Sequence, residues 1–291
     1  MNKKKLIFII NPISGTVKGK DLKGVIYDEF HSDEFDIDIF HTTHPGHASE
    51  LAKSAKDLNA NIVAVGGDGT INEVGKELLN SDSATMGIIP MGSGNGLARS
   101  LGIPLEVRAA LQRLKTGTAR LIDTCCFNQT PFFCTAGVAF DALVAKDFDE
   151  LPTRGIKTYF QASYRQFVKY KPITITAKIN GETITQKPFM LTVANAQQYG
   201  YGVKINPSSS LSDGVMEVIS VEEMNLAGFA EFTLRLFLGT VPNFKHSKVI
   251  QTSEPINITT ESTIAHLDGE PIEFNGTAVI RIHPKSLRII S

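Results

Sequence analysis

Three short apolar runs in the first half of the chain each break directly into a turn of small residues, and this repetition constrains the fold more than any other feature. The turns are Asn11-Pro12-Ile13-Ser14-Gly15, Gly66-Gly67-Asp68-Gly69-Thr70 and Pro90-Met91-Gly92-Ser93-Gly94-Asn95-Gly96. The runs before them, at residues 6–10, 62–65 and 86–89, have the length and composition of buried strands. Helical patterns at 20–30, 48–58, 71–79 and 96–101 alternate with these runs and with a further strand pattern at 35–41. That order predicts a parallel sheet covered by helices. In such a sheet the three turns share the carboxyl edge, where ligands bind. Glycine lets the backbone approach an anion, and a helix starting after the turn directs N–H groups toward it. None of the turns has the G-x-x-x-x-G-K-[ST] or G-x-G-x-x-G spacing, so neither a P-loop nor a dinucleotide-binding turn is indicated.

After about residue 123 the pattern changes. Strand-like stretches at 174–179 and 182–185 flank Asn180-Gly181, a pair that accepts the positive φ of a two-residue hairpin turn. Similar runs follow at 190–195, 215–221, 256–260, 264–267 and 278–283, interrupted by helical stretches at 157–169 and 226–238. Residues 1–122 therefore read as an α/β domain and 123–291 as an antiparallel β-rich one, with the extreme C-terminus packing back on the first. A chain of 291 residues with 42% hydrophobic side chains can fill two cores. Its 29 basic and 30 acidic groups nearly cancel, which excludes an electrostatic nucleic-acid binder. The apolar run at 6–10 falls far short of the roughly 20 residues that span a bilayer, and Asn11-Pro12 stops it too early for a signal peptide. A cytoplasmic protein with no transmembrane segment is expected, with Cys125, Cys126 and Cys134 as buried, reduced thiols.

Asp68 is the chemically demanding residue of the second turn. A carboxylate among phosphate-binding glycines repels the ligand unless it serves a cation or accepts a proton. The alternative is a helix N-cap for the pattern beginning at Ile71, a role that Thr70 fills equally well, leaving Asp68 for chemistry.

Gly66-Gly67-Asp68-Gly69-Thr70 resembles the signature shared by diacylglycerol and sphingosine kinases, NAD kinases and phosphofructokinases. Asn11-Pro12-x-Ser14-Gly15 and Pro90-x-Gly92-x-x-Asn95-x-x-Ala98-Arg99 are similar to the lipid-kinase branch. Asn195, Tyr199-Gly200-Tyr201-Gly202, Asp213-Gly214 and Asp268-Gly269-Glu270 continue the likeness in order. The chain resembles the diacylglycerol kinase catalytic-domain family, in its bacterial soluble branch related to sphingosine kinases. The resemblance implies an N-terminal nucleotide-binding α/β domain with a parallel sheet and a C-terminal antiparallel, β-sandwich-like domain that carries lipid binding and catalysis. It implies ATP and Mg²⁺ as cofactors and a lipid such as diacylglycerol as acceptor. A sphingoid base is an alternative, as is a soluble acceptor of the NAD kinase type, which the Asn11-Pro12 and Pro90–Arg99 elements disfavour.

By the same resemblance, the nucleotide meets Asn11, Pro12, Ser14, Gly15, Thr42, Gly66, Gly67, Asp68, Gly69, Thr70, Ile71, Asn72, Gly92, Ser93 and Asn95. Thr43 is as plausible as Thr42. Glu270 is implied as the proton acceptor, with Asp268 and Asp123 holding a water or metal network, and Asp68 is the competing base. Asp268-Gly269 is also a hairpin signal; an extended stretch would instead set Asp268 and Glu270 on one face, where each raises the other's proton affinity. Asp213, with backbone carbonyls at Ser210 and Val215, is implied as a magnesium site of hard oxygen ligands. Arg99 or Lys18 could add positive charge, and neither is assigned to the site. The apolar residues of 226–238 and the aromatics of 157–170 are expected mainly in the core, with a lipid cleft or membrane-facing surface as the other use. Association with the inner membrane surface and a homodimer are both compatible with the resemblance.

Overall fold

The computed structural model describes residues 3–15, 21–30, 34–153 and 155–291, so Lys18 lies outside the described residues. The first elements are β1 (Lys4–Ile10), α1 (Leu22–Glu29), β2 (Phe35–His41), α2 (His47–Ala55), β3 (Asn61–Gly66), α3 (Asp68–Glu77), β4 (Thr85–Pro90), α4 (Gly96–Ser100) and α5 (Val107–Thr116). There follow β5 (Ala119–Phe127), β6 (Thr130–Phe132), β7 (Thr135–Gly137), α6 (Phe140–Asp149), α7 (Ile156–Lys169), β8 (Ile175–Ile179), β9 (Glu182–Gln186), β10 (Met190–Ala194), β11 (Gln198–Gly200), β12 (Val203–Lys204) and β13 (Met216–Val221). The chain ends with α8 (Leu226–Leu238), β14 (Ser247–Thr252), β15 (Ile256–Thr260), β16 (Ile264–Leu267), β17 (Glu270–Glu273) and β18 (Thr277–Ile290). Two compact units result, Met1–Ile122 with Lys285–Ser291, and Asp123–Pro284.

In unit 1, β1 pairs in parallel with β2 and β3, and β3 with β4. Ile289, near the end of β18, pairs in parallel with Met86 of β4. Leu6 to Ile10 and Ile62 to Val65 are buried at every position, as strands covered on both faces require. β2, at the edge, alternates charge with apolar residues, and Lys5 reaches its Asp36 and Asp38 at 2.8 and 2.7 Å. α2 buries Ala48, Ala52 and Ala55, a helical stripe whose small side chains let the helix lie close to its neighbours. The parallel α/β architecture expected from the alternation is the one observed.

Unit 2 holds an antiparallel sheet in the order β14-β13-β10-β7-β16-β17. A second antiparallel layer pairs the first part of β18 with β15, β15 with β8, and β8 with β9. β6 pairs with β5, and β11 with β12 in a short ribbon. Residues of the two layers, among them Leu191, Val193 and Met216 with Ile175, Ile256 and Ile280, form one buried cluster, so the unit is a sandwich. Asn180 and Gly181 take φ of 51° and 82°, the turn read from that dipeptide. A second cluster gathers α6, α7 and α8 around Phe140, Phe189 and Phe232. Phe140 stacks on Phe189 at 4.2 Å and Phe167 on Phe229 at 4.1 Å. Burial of Phe140 and Phe189 contributes about 1.5–3 kcal/mol each.

Some elements depart from the sequence expectation. α3 starts at Asp68, three residues before Ile71, with the extended Gly67 as its N-cap. The strand expected at 278–283 continues to Ile290. α5 and α6 lie outside the helical stretches expected from the sequence. α5 is capped by Glu106, whose carboxylate accepts the N–H groups of Arg108 and Ala109. Cys125 and Cys134 are buried free thiols, but Cys126 is only half-buried, with its sulfur 3.2 Å from His283 Nε2. Among the described residues no helix is long and apolar enough to cross a membrane.

Candidate active site

β1, β3 and β4 end at Ile10, Gly66 and Pro90, so the three small-residue turns leave the same edge of the unit 1 sheet. Side chains stitch them together. Asn11 Nδ2 donates to Thr70 Oγ1 at 3.1 Å, and Gly67 N–H donates to Ser14 Oγ at 3.3 Å. The second and third turns touch through backbone alone, because a Cβ on Gly92 would stand 2.5 Å from the Gly67 Cα. A Cβ on Gly66 would strike Thr70 Oγ1 at the same distance. Here glycine is required by close approach rather than by φ. Asn95 does take positive φ, 53°, and its amide clasps its own turn, accepting from Gly92 N–H and donating to Gly92 O.

Asp68 is neither the cap of its own helix nor free of partners. Its two oxygens accept N–H groups from Asn95 and Gly96, each at 2.7 Å, at the start of α4. It thus supplies the anion at α4 that the sequence reading reserved for a ligand. Burial pushes its carboxyl above the ordinary carboxylate range, while the Gly96 and Asn95 hydrogen bonds and the Arg99 charge pull the other way. Arg99 itself donates from Nε to Gly94 O at 2.9 Å. Thr70 does not cap either; its hydroxyl belongs to the Asn11 contact. The Ile71 side chain is in the core and its N–H donates within the helix to Gly67 O. Thr42, half-buried, donates its N–H to Ile10 O, and Thr43 meets His47 Nδ1 with both N–H and hydroxyl at 3.1 Å. Gly46 and Ala48 N–H groups at the start of α2 donate to Glu73, a cap the sequence reading missed.

Asp123, Asp268 and Glu270 lie in unit 2. Asp268 and Gly269 have φ of 52° and 87°, so the element is a two-residue hairpin turn joining β16 to β17, and the extended reading that set Asp268 and Glu270 on one face is corrected. The Asp268 carboxylate gathers the N–H groups of Phe133, Cys134 and Thr135 at 2.7–3.0 Å, clamping the start of β7. Glu270, just past the turn, is exposed. Asp123 is buried and accepts the Gly214 N–H at 2.7 Å, while Asn195 donates to its carbonyl.

Asp213 is exposed in the turn that Asp123 holds, and one of its oxygens accepts the Val215 N–H at 3.1 Å. Behind it Glu217 is buried, bonded by Ser209 and Gln251, and pushed above the usual range by burial and by the Asp213 charge. The exposed Asp213 carboxylate and the oxygen-rich turn around it suit a hard divalent cation.

An apolar cavity, open at its mouth, lies between α7 and α8, lined by Phe160, Met190, Phe229, Phe232 and Phe237. Asp141, Ser163, Tyr199 and Thr233 add polar groups to its wall. The expected core role holds for Phe232 but not for the whole helix: Leu226, Leu234 and Leu238 are 58%, 58% and 64% exposed, and Tyr164 and Val168 of α7 are exposed too.

Residues 5–127 match the diacylglycerol kinase catalytic domain, and residues 134–291 match the YegS C-terminal NAD kinase beta sandwich-like domain. A diacylglycerol kinase of Bacillus subtilis strain 168 is 30% identical over 92% of this chain and 90% of its own length. The chain belongs to the diacylglycerol kinase family. A probable lipid kinase YegS-like of Pectobacterium atrosepticum is 28% identical over 77% of each chain. A crystal structure of a diacylglycerol kinase from Bacillus anthracis strain Sterne shares the fold, with TM-score 0.75 and 19% identity over 100% of this chain and 97% of that one. This family member is thus of lipid-kinase type, with the α/β and sandwich units its motifs implied. Sequence reading missed Asp141 and His266. A lone carboxylate within the apolar stretch 136–145, and a lone imidazole within Ile264-Ala265-His266-Leu267, were the available signals.

Proposed function

We propose that this kinase-family protein transfers the γ-phosphate of ATP to the hydroxyl of a lipid such as diacylglycerol. The observation that carries the reading is the apolar cavity of unit 2, walled by aromatic rings and ending on a few polar groups, which suits an acyl chain and not a nucleotide-sized polar acceptor. The exposed leucines of α8, beside Phe237 at the cavity, suit a membrane surface.

The unit 1 turns supply the nucleotide contacts through Asn11, Pro12, Ser14 and Gly15, through Gly66, Gly67, Gly69 and Asn72, and through Gly92 and Ser93. Thr42 is the better nucleotide contact, since Thr43 is engaged by His47. Glu270 is the better base because both Asp68 oxygens already accept backbone N–H groups. The Glu270 carboxylate takes the acceptor's proton as that oxygen bonds to the γ-phosphorus and ADP leaves. Asp68, Asp268 and Asp123 position turns. Asp213, with carbonyls of Ser210 and Val215, would hold Mg²⁺, which supplies charge neutralisation when bound.

The test is transfer of label from γ-labelled ATP, with and without magnesium, to a panel of diacylglycerol, monoacylglycerol and long-chain bases in mixed micelles, alongside NAD. Labelled lipid is expected; label in NAD alone overturns the reading.

A further inference from the structure

A buried pair, Asp141 and His266, takes no part in the chemistry above, yet it links the wall of the apolar cavity to the turn before Glu270. His266 is 1% exposed and Asp141 6%. Gly269 N–H lies 3.3 Å from His266 Nδ1, and His266 Nε2 lies 3.1 Å from Asp141 Oδ2. A backbone N–H only donates, so Nδ1 is an acceptor; the ring proton therefore sits on Nε2 and is donated to Asp141.

We propose that His266 is a positioning residue: its Nδ1 holds the Gly269 N–H, fixing the hairpin that aims Glu270, while Asp141 fixes the ring and its tautomer. The proposal rests on the reading of Glu270 as base.

The surroundings are built around this pair. Asp141 Oδ1 accepts from Ala139 and Ala142 N–H at the start of α6, and its Oδ2 accepts the Thr192 hydroxyl. Thr192 Oγ1 in turn meets the Tyr199 hydroxyl at 2.9 Å. Burial and the Asp141 charge push the Tyr199 phenol far up, so it remains a neutral donor. Gly137 of β7 pairs in register with both Thr192 and His266, and a Cβ there would stand 2.0 Å from Asp141 Oδ2. The carboxylate occupies the space a side chain would need. The turn is then held at two adjacent points, Asp268 by the start of β7 and Gly269 by His266, which leaves the backbone entering Glu270 little room to pivot. A base displaced by an ångström loses much of its effect.

Two variants separate the halves of the link. His266→Asn keeps an acceptor close to the Nδ1 position but gives up the donor to Asp141. His266→Gln reaches Asp141 with its amide but moves the acceptor away from Gly269. The expected result is that His266→Gln lowers kcat by about 10–100-fold with KM for ATP unchanged, whereas His266→Asn stays within about 3-fold of the parent even though it melts lower. Losses in both that simply track melting temperature, or parental kcat in His266→Gln, overturn the proposal. Amide exchange at Gly269, followed by NMR, reads the same bond without activity. Protection is expected in the parent and His266→Asn, and exchange about 10-fold faster or more in His266→Gln. An unprotected Gly269 in the parent refutes the link. A parent that labels no lipid but protects Gly269 sinks the lipid-kinase reading alone.

Discussion

Asp68 and Glu270 each directly follow a glycine, Asp68 opening α3 and Glu270 opening β17, and their surroundings differ. Asp68 spends both oxygens on the first N–H groups of α4, so Asp68→Asn turns an amide NH₂ toward a donor and costs about 1–3 kcal/mol, lowering the melting temperature as well as ATP affinity. Glu270 is exposed, so Glu270→Gln keeps the melting temperature and cuts turnover by about 10²-fold. Parental turnover in Glu270→Gln returns the role of base to Asp68. Glu217 gives a pH prediction whose sign follows from its raised carboxyl. Between the unfolded and folded pKa the native state binds more protons, so parental stability falls as pH rises through that window. Glu217→Gln does not titrate, and its melting temperature relative to the parent should rise as the pH increases above about 4 in magnesium-free buffer. A relative fall contradicts the assignment. At this scale the sequence was readable for identities and poor for partners. Asp268 was legible as a turn residue, but that its carboxylate clamps residues 133–135 depends on strands far apart in the chain.

The three glycine turns behave as one element because Gly67 and Gly92 meet backbone to backbone. Gly92→Ala puts a methyl where no flexible side chain can yield, and should cost about 1–3 kcal/mol and weaken ATP binding. Calorimetry of both quantities checks it; an unperturbed variant means the turns are not packed as described. This edge was legible beforehand because parallel strand order fixes where strand ends lie, whatever the side chains do. α8 was legible as a helix from its period but not in its use. A wide apolar face reads as core, and only the packed neighbours reveal that Leu226, Leu234 and Leu238 face outward. The double variant Leu234→Glu with Leu238→Glu should fold as the parent does and sediment less with diacylglycerol-containing vesicles. Equal sedimentation removes α8 from the membrane-facing surface.

For the whole chain, motif order carried the family and the two-part architecture, since small-residue turns and strand alternation are written locally. The cavity was not written locally. It arises where α7 and α8 stand on β10 and β12, with Asp141 placed from α6, and no run of sequence holds those residues together. In the proposed reaction this cavity receives the acceptor's chain. Thr233 lines it, and Thr233→Phe fills part of it with a ring. The most direct measurement is label transfer from γ-labelled ATP to a diacylglycerol in mixed micelles, comparing the parent with Thr233→Phe. A fall in kcat/KM for the lipid of about 10-fold or more is expected, with ATP affinity unchanged. Equal lipid turnover by both proteins, at equal stability, would contradict it.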